Sequence, residues 1–288
     1  MEQQKRRWGV EQRLEFIEFR AFWEGGLNRS DIMDYFGVSV PQASKDLSQY
    51  QELAPENLRY DRSLKRYFPT DSFELKFLKP DADQYLAQLT SFAERDPSEN
   101  ESWLGNPPLV ASMPVPHRRV EVAILRSILG AVRTPTSIEI FYQSMNPEKP
   151  EPQWRWITPK AFVSDGLRWH IRSFCHERQK YRDFLLSRCM KTRKLAEPLE
   201  TQEGDTDWNE LFDVVLVPNP DLSEEQQKVI AYDYEMTNGS IVLPVRRALL
   251  YYFKKRLRLD VAEALDEPKE APVVVKNRTE FEAALGES

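Results

Sequence analysis

The sequence predicts a multi-domain α+β protein, and three observations carry that prediction. Residues 28–50 read as two capped helices joined at a glycine, with a short basic hairpin behind them. Between residues 137 and 189, short β-rich segments are separated by tight breaks. Beyond residue 213, strand-like and helix-like segments alternate as in a small α/β module. At 288 residues the chain has room for two or three separate cores.

The first element is an amphipathic helix over Arg13 to Trp23, with Leu14, Ile17, Phe19 and Phe22 as its apolar set. Asn28 is placed to cap the next helix, with Asp31 in its first turn. Gly37 ends that helix, because glycine enters the left-handed region without steric cost. Ser39 opens the following helix, Pro41 is tolerated in its first turn, and Gln42 completes a predicted capping box. Val40, Ala43, Leu47 and Tyr50 recur at helical spacing and are expected to pack inward. The outward set is Pro41, Gln42, Ser44, Lys45 and Ser48, small or polar residues suited to base edges and phosphates. The unit reads as a helix-turn-helix, whose second helix is shaped for a DNA major groove. Ser39, Pro41, Gln42, Ser44 and Lys45 are its candidate contacts. A plain two-helix corner has the same local pattern.

The next stretch of chain separates a DNA reader from a plain corner. Leu58–Asp61 and Leu64–Phe68 flank a break at Arg62-Ser63, the signature of a hairpin. Arg59, Arg62, Lys65 and Arg66 make it basic. A basic hairpin after a helix-turn-helix is a wing that reaches phosphate or the minor groove.

Residues 71–96 read as largely helical, with Tyr85, Leu86, Leu89 and Phe92 on one side. From Asp96 to His117 the prolines Pro97, Pro107, Pro108, Pro114 and Pro116 mark a semi-rigid spacer. A helix over Arg119 to Val132 presents Val122, Leu125, Ile128 and Leu129 to a core. Four strands are expected at Ser137–Met145, Trp154–Val163, Leu167–Cys175 and Tyr181–Cys189, forming a small, strongly bent sheet or barrel. Residues 196–213 hold seven acidic side chains and no basic one, which reads as an exposed linker. Strand Asp213–Pro218, a helix near Glu224–Tyr234, strand Ser240–Val245 and a helix near Arg246–Leu259 complete the chain. The expected divisions are 1–70, 71–117, 118–196, 197–212 and 213–288.

The net charge of −6 argues against a nonspecific polybasic coat for nucleic acid. Residues 1–70 hold 11 Lys/Arg and 11 Asp/Glu, so affinity for DNA would rest on a local patch and on dimerisation. Cys175 and Cys189 are too few for a disulfide framework and are expected as buried free thiols in a reducing compartment. There is no apolar run of about twenty residues and no signal-peptide pattern, so a soluble cytoplasmic protein without membrane contact is expected.

One face of the third expected strand carries Trp169, Ile171, Ser173 and Cys175; the other carries His170, Arg172, Phe174 and His176. Tyr142 and Ser144 share a face of the first strand, and Arg182, Phe184 and Arg188 fall together on the fourth. Residues 165–195 hold nine Lys/Arg against three Asp/Glu. Such a surface suits a phosphate or nucleotide, and equally a solvated sheet face with arginines lying over apolar neighbours. Cys175 and His176 point to opposite faces, and the only other histidines are His117 and His170, so no metal site is expected. No nucleophile elbow, phosphate-cradling glycine loop or metalloprotease helix is present; no catalytic residue and no cofactor are assigned.

At Leu167-Arg168-Trp169-His170-Ile171-Arg172, Tyr181-Arg182-Asp183-Phe184 and Leu186-Ser187-Arg188-Cys189, with Tyr142-x-Ser144 and Pro159 before them, the chain resembles the WYL domain. The tripeptide that names that family stands here as Trp169-His170-Ile171. With a winged helix before it and a further module after it, the chain is similar to bacterial WYL-type transcriptional regulators, above all those beside phage-defence loci of the BREX and CBASS types. The resemblance implies an Sm-like β-barrel for the central domain, sensing a nucleotide or nucleic-acid fragment, and a C-terminal module that helps form a homodimer. It implies a repressor that binds an inverted repeat near its own or neighbouring promoters. By position, Tyr142, Ser144, His170, Arg172, Arg182 and Arg188 would line the effector site, with Arg172 and Arg182 holding a phosphate. Two rival readings are a nucleic-acid-activated enzyme or accessory subunit regulated by the WYL domain, and an adaptor that uses the helix-turn-helix for protein contact.

Overall fold

A computed structural model describes residues 2–94, 102–148, 150–199, 204–262 and 267–286, with residues 2–8, 261 and 262 described by their backbone alone. The chain forms two compact units, Met1–Val115 and Pro116–Ser288.

In the first unit, α1 (Glu2–Glu24) starts well before the expected Arg13 and lies under α2 (Arg29–Phe36) and α3 (Val40–Leu53). Asn28 caps α2 by accepting the Asp31 N–H at 3.1 Å, and Asp31 accepts the Asn28 N–H at 2.6 Å in return. Gly37 closes α2 at φ 62°. Ser39 caps α3 from the Gln42 N–H, but Gln42 does not complete the predicted box. Its amide donates instead to Asp46 Oδ1 at 2.9 Å. Ala43, Leu47 and Tyr50 are buried as expected, whereas Val40 is 46 % exposed. Asp46 is buried, because Arg13 neutralises it through Nε at 2.6 Å and Nη2 at 3.2 Å. The hairpin is built from β1 (Leu58–Asp61) and β2 (Arg66–Pro69), paired antiparallel from Leu58–Pro69 to Asp61–Arg66.

Residues 71–81 are not the helix their sequence predicts. They form an irregular strap whose Lys76, Phe77 and Leu78 N–H groups donate to the buried Glu18 carboxylate at 2.7–3.1 Å. The Tyr50 hydroxyl donates to the same carboxylate at 3.0 Å. A buried carboxylate needs several donors, and only a non-helical backbone has amides to give. Phe73, Phe77 and Trp103 pack on the apolar core built by Leu14, Ile17, Ile32 and Leu47. The helix itself is α4 (Ala82–Glu94); Leu89 is buried, but Leu86 and Phe92 face solvent. Part of the proline-rich spacer, including Asp96 and Pro97, lies outside the described residues.

The second unit begins with α5 (Val122–Arg133), which presents Ile124, Ile128 and Ala131 to the core. Val122, expected inside, is exposed. The sheet contains β3 (Ser137–Tyr142), β4 (Gln153–Ser164), β5 (Trp169–Cys175), β6 (Lys180–Leu185) and β7 (Cys189–Ala196), in the order β6-β5-β4-β3-β7 and antiparallel throughout. The expected last strand is interrupted by a 3-10 turn at Leu186–Arg188, and β7 was not legible, because Met-Lys-Thr-Arg-Lys carries no apolar alternation. Among the described residues β6 and β7 are not paired, so the five strands show no closed barrel.

The acidic stretch also departs from its reading. Glu200 and Glu203 lie outside the described residues, but Asp205 is buried at the head of α6 (Thr206–Asn209). Beyond it come β8 (Leu211–Pro218), α7 (Glu224–Asp233), β9 (Ile241–Arg246), α8 (Leu250–Arg256), α9 (Leu259–Ala262), β10 (Val273–Val275) and α10 (Arg278–Gly286). The sheet β10-β8-β9 is antiparallel, and its core unites Val214, Leu216, Leu250, Leu259, Phe281 and Ala284.

Candidate nucleic-acid interface and sensor sheet

In the first unit, α3 leaves Ser39, Pro41, Lys45 and Ser48 exposed, with Gln42 and Ser44 half-buried. Two of these side chains are partly committed: Ser44 Oγ donates to the Val40 carbonyl at 2.9 Å, and Gln42 is tethered to Asp46. The Arg13–Asp46–Gln42 chain, which the sequence reading missed, fixes the direction of Gln42 from the core side. Its only sequence signal is an acidic residue at an inward helical position.

The hairpin is anchored as a wing. Leu27 and Tyr67 exchange backbone hydrogen bonds of 2.9 and 2.7 Å, an isolated antiparallel bridge that ties the hairpin to the turn after α1. A Cβ on Gly26, whose φ is 141°, would lie 2.3 Å from the Tyr67 carbonyl oxygen, so the chain requires glycine at this crossing. At the tip, Asp61 Oδ1 accepts the Ser63 N–H at 2.8 Å and the Leu64 N–H at 3.0 Å. The Leu64 and Ser63 donors hold its carboxyl below the usual carboxylate range. The four predicted wing cations therefore have different surroundings. Arg62 and Lys65 stand exposed at the tip. Arg59 lies 5.5 Å over the Phe68 ring, and Arg66 braces the wing base by donating to the Gly26 carbonyl at 2.7 Å.

The central sheet treats its polar residues differently. Arg172 pairs in register with Asp183, and Ser173 with Arg182, so Arg172 and Arg182 leave opposite faces of the sheet. The structure thus corrects the expected joint grip of one phosphate by these two arginines. Arg182 is exposed on the face that also carries Ile171 and Phe184. Tyr142 joins that core, its ring 5.1 Å from Phe184 and its hydroxyl accepting the Leu185 N–H at 3.2 Å. Burial raises the Tyr142 phenol despite that donor and the neighbouring Arg188. Ser144 caps its own loop, accepting the Asn146 N–H at 3.1 Å.

On the other face Arg172 is only 5 % exposed. Its Nε and Nη2 donate to the two Asp205 oxygens, both at 2.8 Å, and Nη1 reaches Asp183 at 3.4 Å. Asp207 lies 3.8 Å away. Tyr252 of α8 donates to Asp183 at 3.1 Å, and its ring sits 4.7 Å from His170. Burial raises the Asp183 carboxyl even with Arg172 beside it, and burial raises the Tyr252 phenol. His170 meets Asp165 at 3.1 Å; burial pushes the Asp165 carboxyl up, but bonds from His170, Leu167 and Arg168 outweigh it and hold it well below the usual range. Sequence reasoning found Arg172 and His170 but not Asp205 and Tyr252, which reach this face from far along the chain.

His176 is occupied by hydroxyls, with Nε2 3.2 Å from Ser137 Oγ and 2.9 Å from Thr158 Oγ1. Both cysteines are buried free thiols, and burial pushes Cys189 up to about 12. Among the described residues no His/Cys/Asp/Glu group is arranged to hold a metal, and no helix is long and apolar enough to cross a membrane.

A winged helix, a sheet-built middle domain and a terminal α/β module define a transcriptional regulator of WYL type. Residues 9–91 match the winged helix-turn-helix domain of the BrxR transcriptional regulator, residues 123–193 the WYL domain, and residues 211–281 the BrxR C-terminal dimerization domain. The DNA-binding transcriptional repressor CapW of Escherichia coli (strain KTE188) is 39% identical over 279 residues, spanning 97% of this chain and 93% of that protein. CapW of Pseudomonas aeruginosa is 40% identical over 275 residues, 96% of this chain and 91% of that protein. CapW of Stenotrophomonas maltophilia is 38% identical over 288 residues, 98% and 94% respectively. The chain belongs to the CapW family of transcriptional repressors, whose members here are regulators rather than enzymes.

Proposed function

We propose that two copies of this chain bind an inverted-repeat operator and repress a phage-defence operon or their own promoter, in response to a nucleotide or nucleic-acid effector. The exposed face of α3 carries this reading: Lys45 and Pro41 open to solvent, with Gln42 aimed from within by Asp46. In each copy α3 enters a major groove, Gln42 and Ser44 meet base edges, and Ser39 and Lys45 meet backbone. Arg62 and Lys65 reach phosphate from the wing tip, while Arg59 and Arg66 set the wing's angle. Residues 1–70 read DNA, 118–196 sense the effector and 213–288 pair the two copies, in keeping with the dimerization domain matched at 211–281. The effector site divides into Tyr142 and Arg182 on one face of the sheet and His170 and Arg172 on the other, with Ser144 in the loop after β3 and Arg188 in the 3-10 turn, and an anionic effector engages Arg172.

A gel shift on the chain's own upstream DNA, against scrambled DNA of equal length and salt, tests this. A sequence-specific shift with two chains per site is expected. Equal, salt-sensitive retardation of both DNAs would overturn the reading and leave the winged helix a protein-contact module.

A further inference from the structure

The guanidinium of Arg172 already holds an oxyanion, and it belongs to the protein. Asp205 presents both carboxylate oxygens to Nε and Nη2 at 2.8 Å, the forked geometry in which arginine takes a phosphate. With Asp183 at 3.4 Å and Asp207 at 3.8 Å, three carboxylates crowd one cation. The resting face is therefore closed to a second anion.

Asp205 has a second attachment. It caps α6, its Oδ1 accepting the Trp208 N–H at 3.3 Å. Trp208 is in turn gripped by Arg246 of β9, whose guanidinium lies 4.6 Å over the indole ring and donates to the Trp208 carbonyl. The Arg247 N–H donates to the Glu210 carbonyl at 3.1 Å. A continuous path of polar contacts therefore runs from β5 through α6 to the edge strand of the C-terminal module.

We propose that Asp205 is a built-in competitor for the effector on Arg172, and that an incoming phosphate displaces it and frees α6 to shift against β9. This rests on the effector reading above. Displacement exchanges one anion for another on Arg172 and returns the Asp205 carboxylate to water, so no buried charge is left unpaired. The competitor lowers apparent affinity by the fraction of molecules in which Arg172 is free, and it gives the ligand two states to distinguish.

The test uses the full chain, a dye-labelled tetrathymidylate carrying a 5′-phosphate, and inorganic pyrophosphate. Asp205→Asn keeps a capping side chain and removes the charge. It is expected to bind either probe about tenfold more tightly than the wild type. Without ligand, its operator affinity should already be shifted in the direction in which saturating probe shifts the wild type. Asp207→Asn, which leaves the Asp205 fork and its cap in place and removes only the 3.8 Å pairing with Arg172, should move binding the same way by less, and it carries the test if circular dichroism shows Asp205→Asn unfolded. Arg172→Lys placed in the Asp205→Asn background should abolish the gain. Probe binding by the wild type with no gain in either aspartate variant would overturn the competitor while leaving the effector reading intact. No binding by any of the four proteins would remove both.

Discussion

The wing and strand β5 of the central sheet both carry cationic side chains, yet they hold them in opposite states. At the wing tip Arg62 and Lys65 extend from a turn closed by the Asp61 carboxylate, so the backbone is satisfied locally and the cations remain in water. On β5, Arg172 is covered on its own face by Asp205, Asp183 and Tyr252 and must be neutralised within the fold. A cation in water is ready for a nucleic-acid backbone; a buried one must first lose a partner. The first arrangement suits a constitutive DNA grip, the second a response to something that arrives.

Removing Arg172 is the strongest way to break this contrast. Arg172→Ala strands Asp205 and Asp183 without their cation and should cost about 3–5 kcal/mol in urea denaturation. A loss below about 1 kcal/mol would mean that the carboxylates rehydrate freely and the face is open. Next comes the wing base. Gly26→Ala forces a Cβ against the Tyr67 carbonyl oxygen at φ 141° and should lower stability by roughly 1–3 kcal/mol. Operator affinity should fall with it, and a variant stable but weak on the operator would isolate the wing's orientation as the cause.

The two kinds of contact on α3 separate by salt and sequence. Lys45→Ala should weaken binding to all DNAs alike and reduce the salt slope by about one. Gln42→Ala should relax preference at one base pair by roughly 1–3 kcal/mol while leaving the salt slope unchanged; an unaltered preference would move base reading to another side chain. The smallest effect is one of pH. Burial lowers the His176 imidazole below its ordinary 6.5, so as pH falls the unfolded chain takes up a proton first. His176 therefore contributes stability fully above 6.5 and loses it progressively below, down to the lowered folded value. Melting curves for His176→Gln should be flatter than those of the wild type between about pH 7 and 5; an unchanged slope would assign the dependence to other groups.

Local chemistry made the winged helix readable. Caps at Asn28 and Ser39, the left-handed Gly37 and the Arg-rich turn are each decided within a few residues. The same local logic failed at 71–81, where helix-compatible residues were drawn out to feed amides to Glu18, a residue some sixty positions earlier. It failed again at β7, whose partner β3 supplies the ladder that its polar sequence does not announce.

The order of parts, the capped recognition helix and the polar residues of the central sheet were determined by the sequence alone, because periodicity and capping act over one or two turns. Tertiary structure alone decided that Asp46 would steer Gln42, that Arg172 and Arg182 would part to opposite faces, and that Asp205 would close on Arg172. Those outcomes depend on which charges are driven out of water together, and long-range pairing is written in no single segment of the chain.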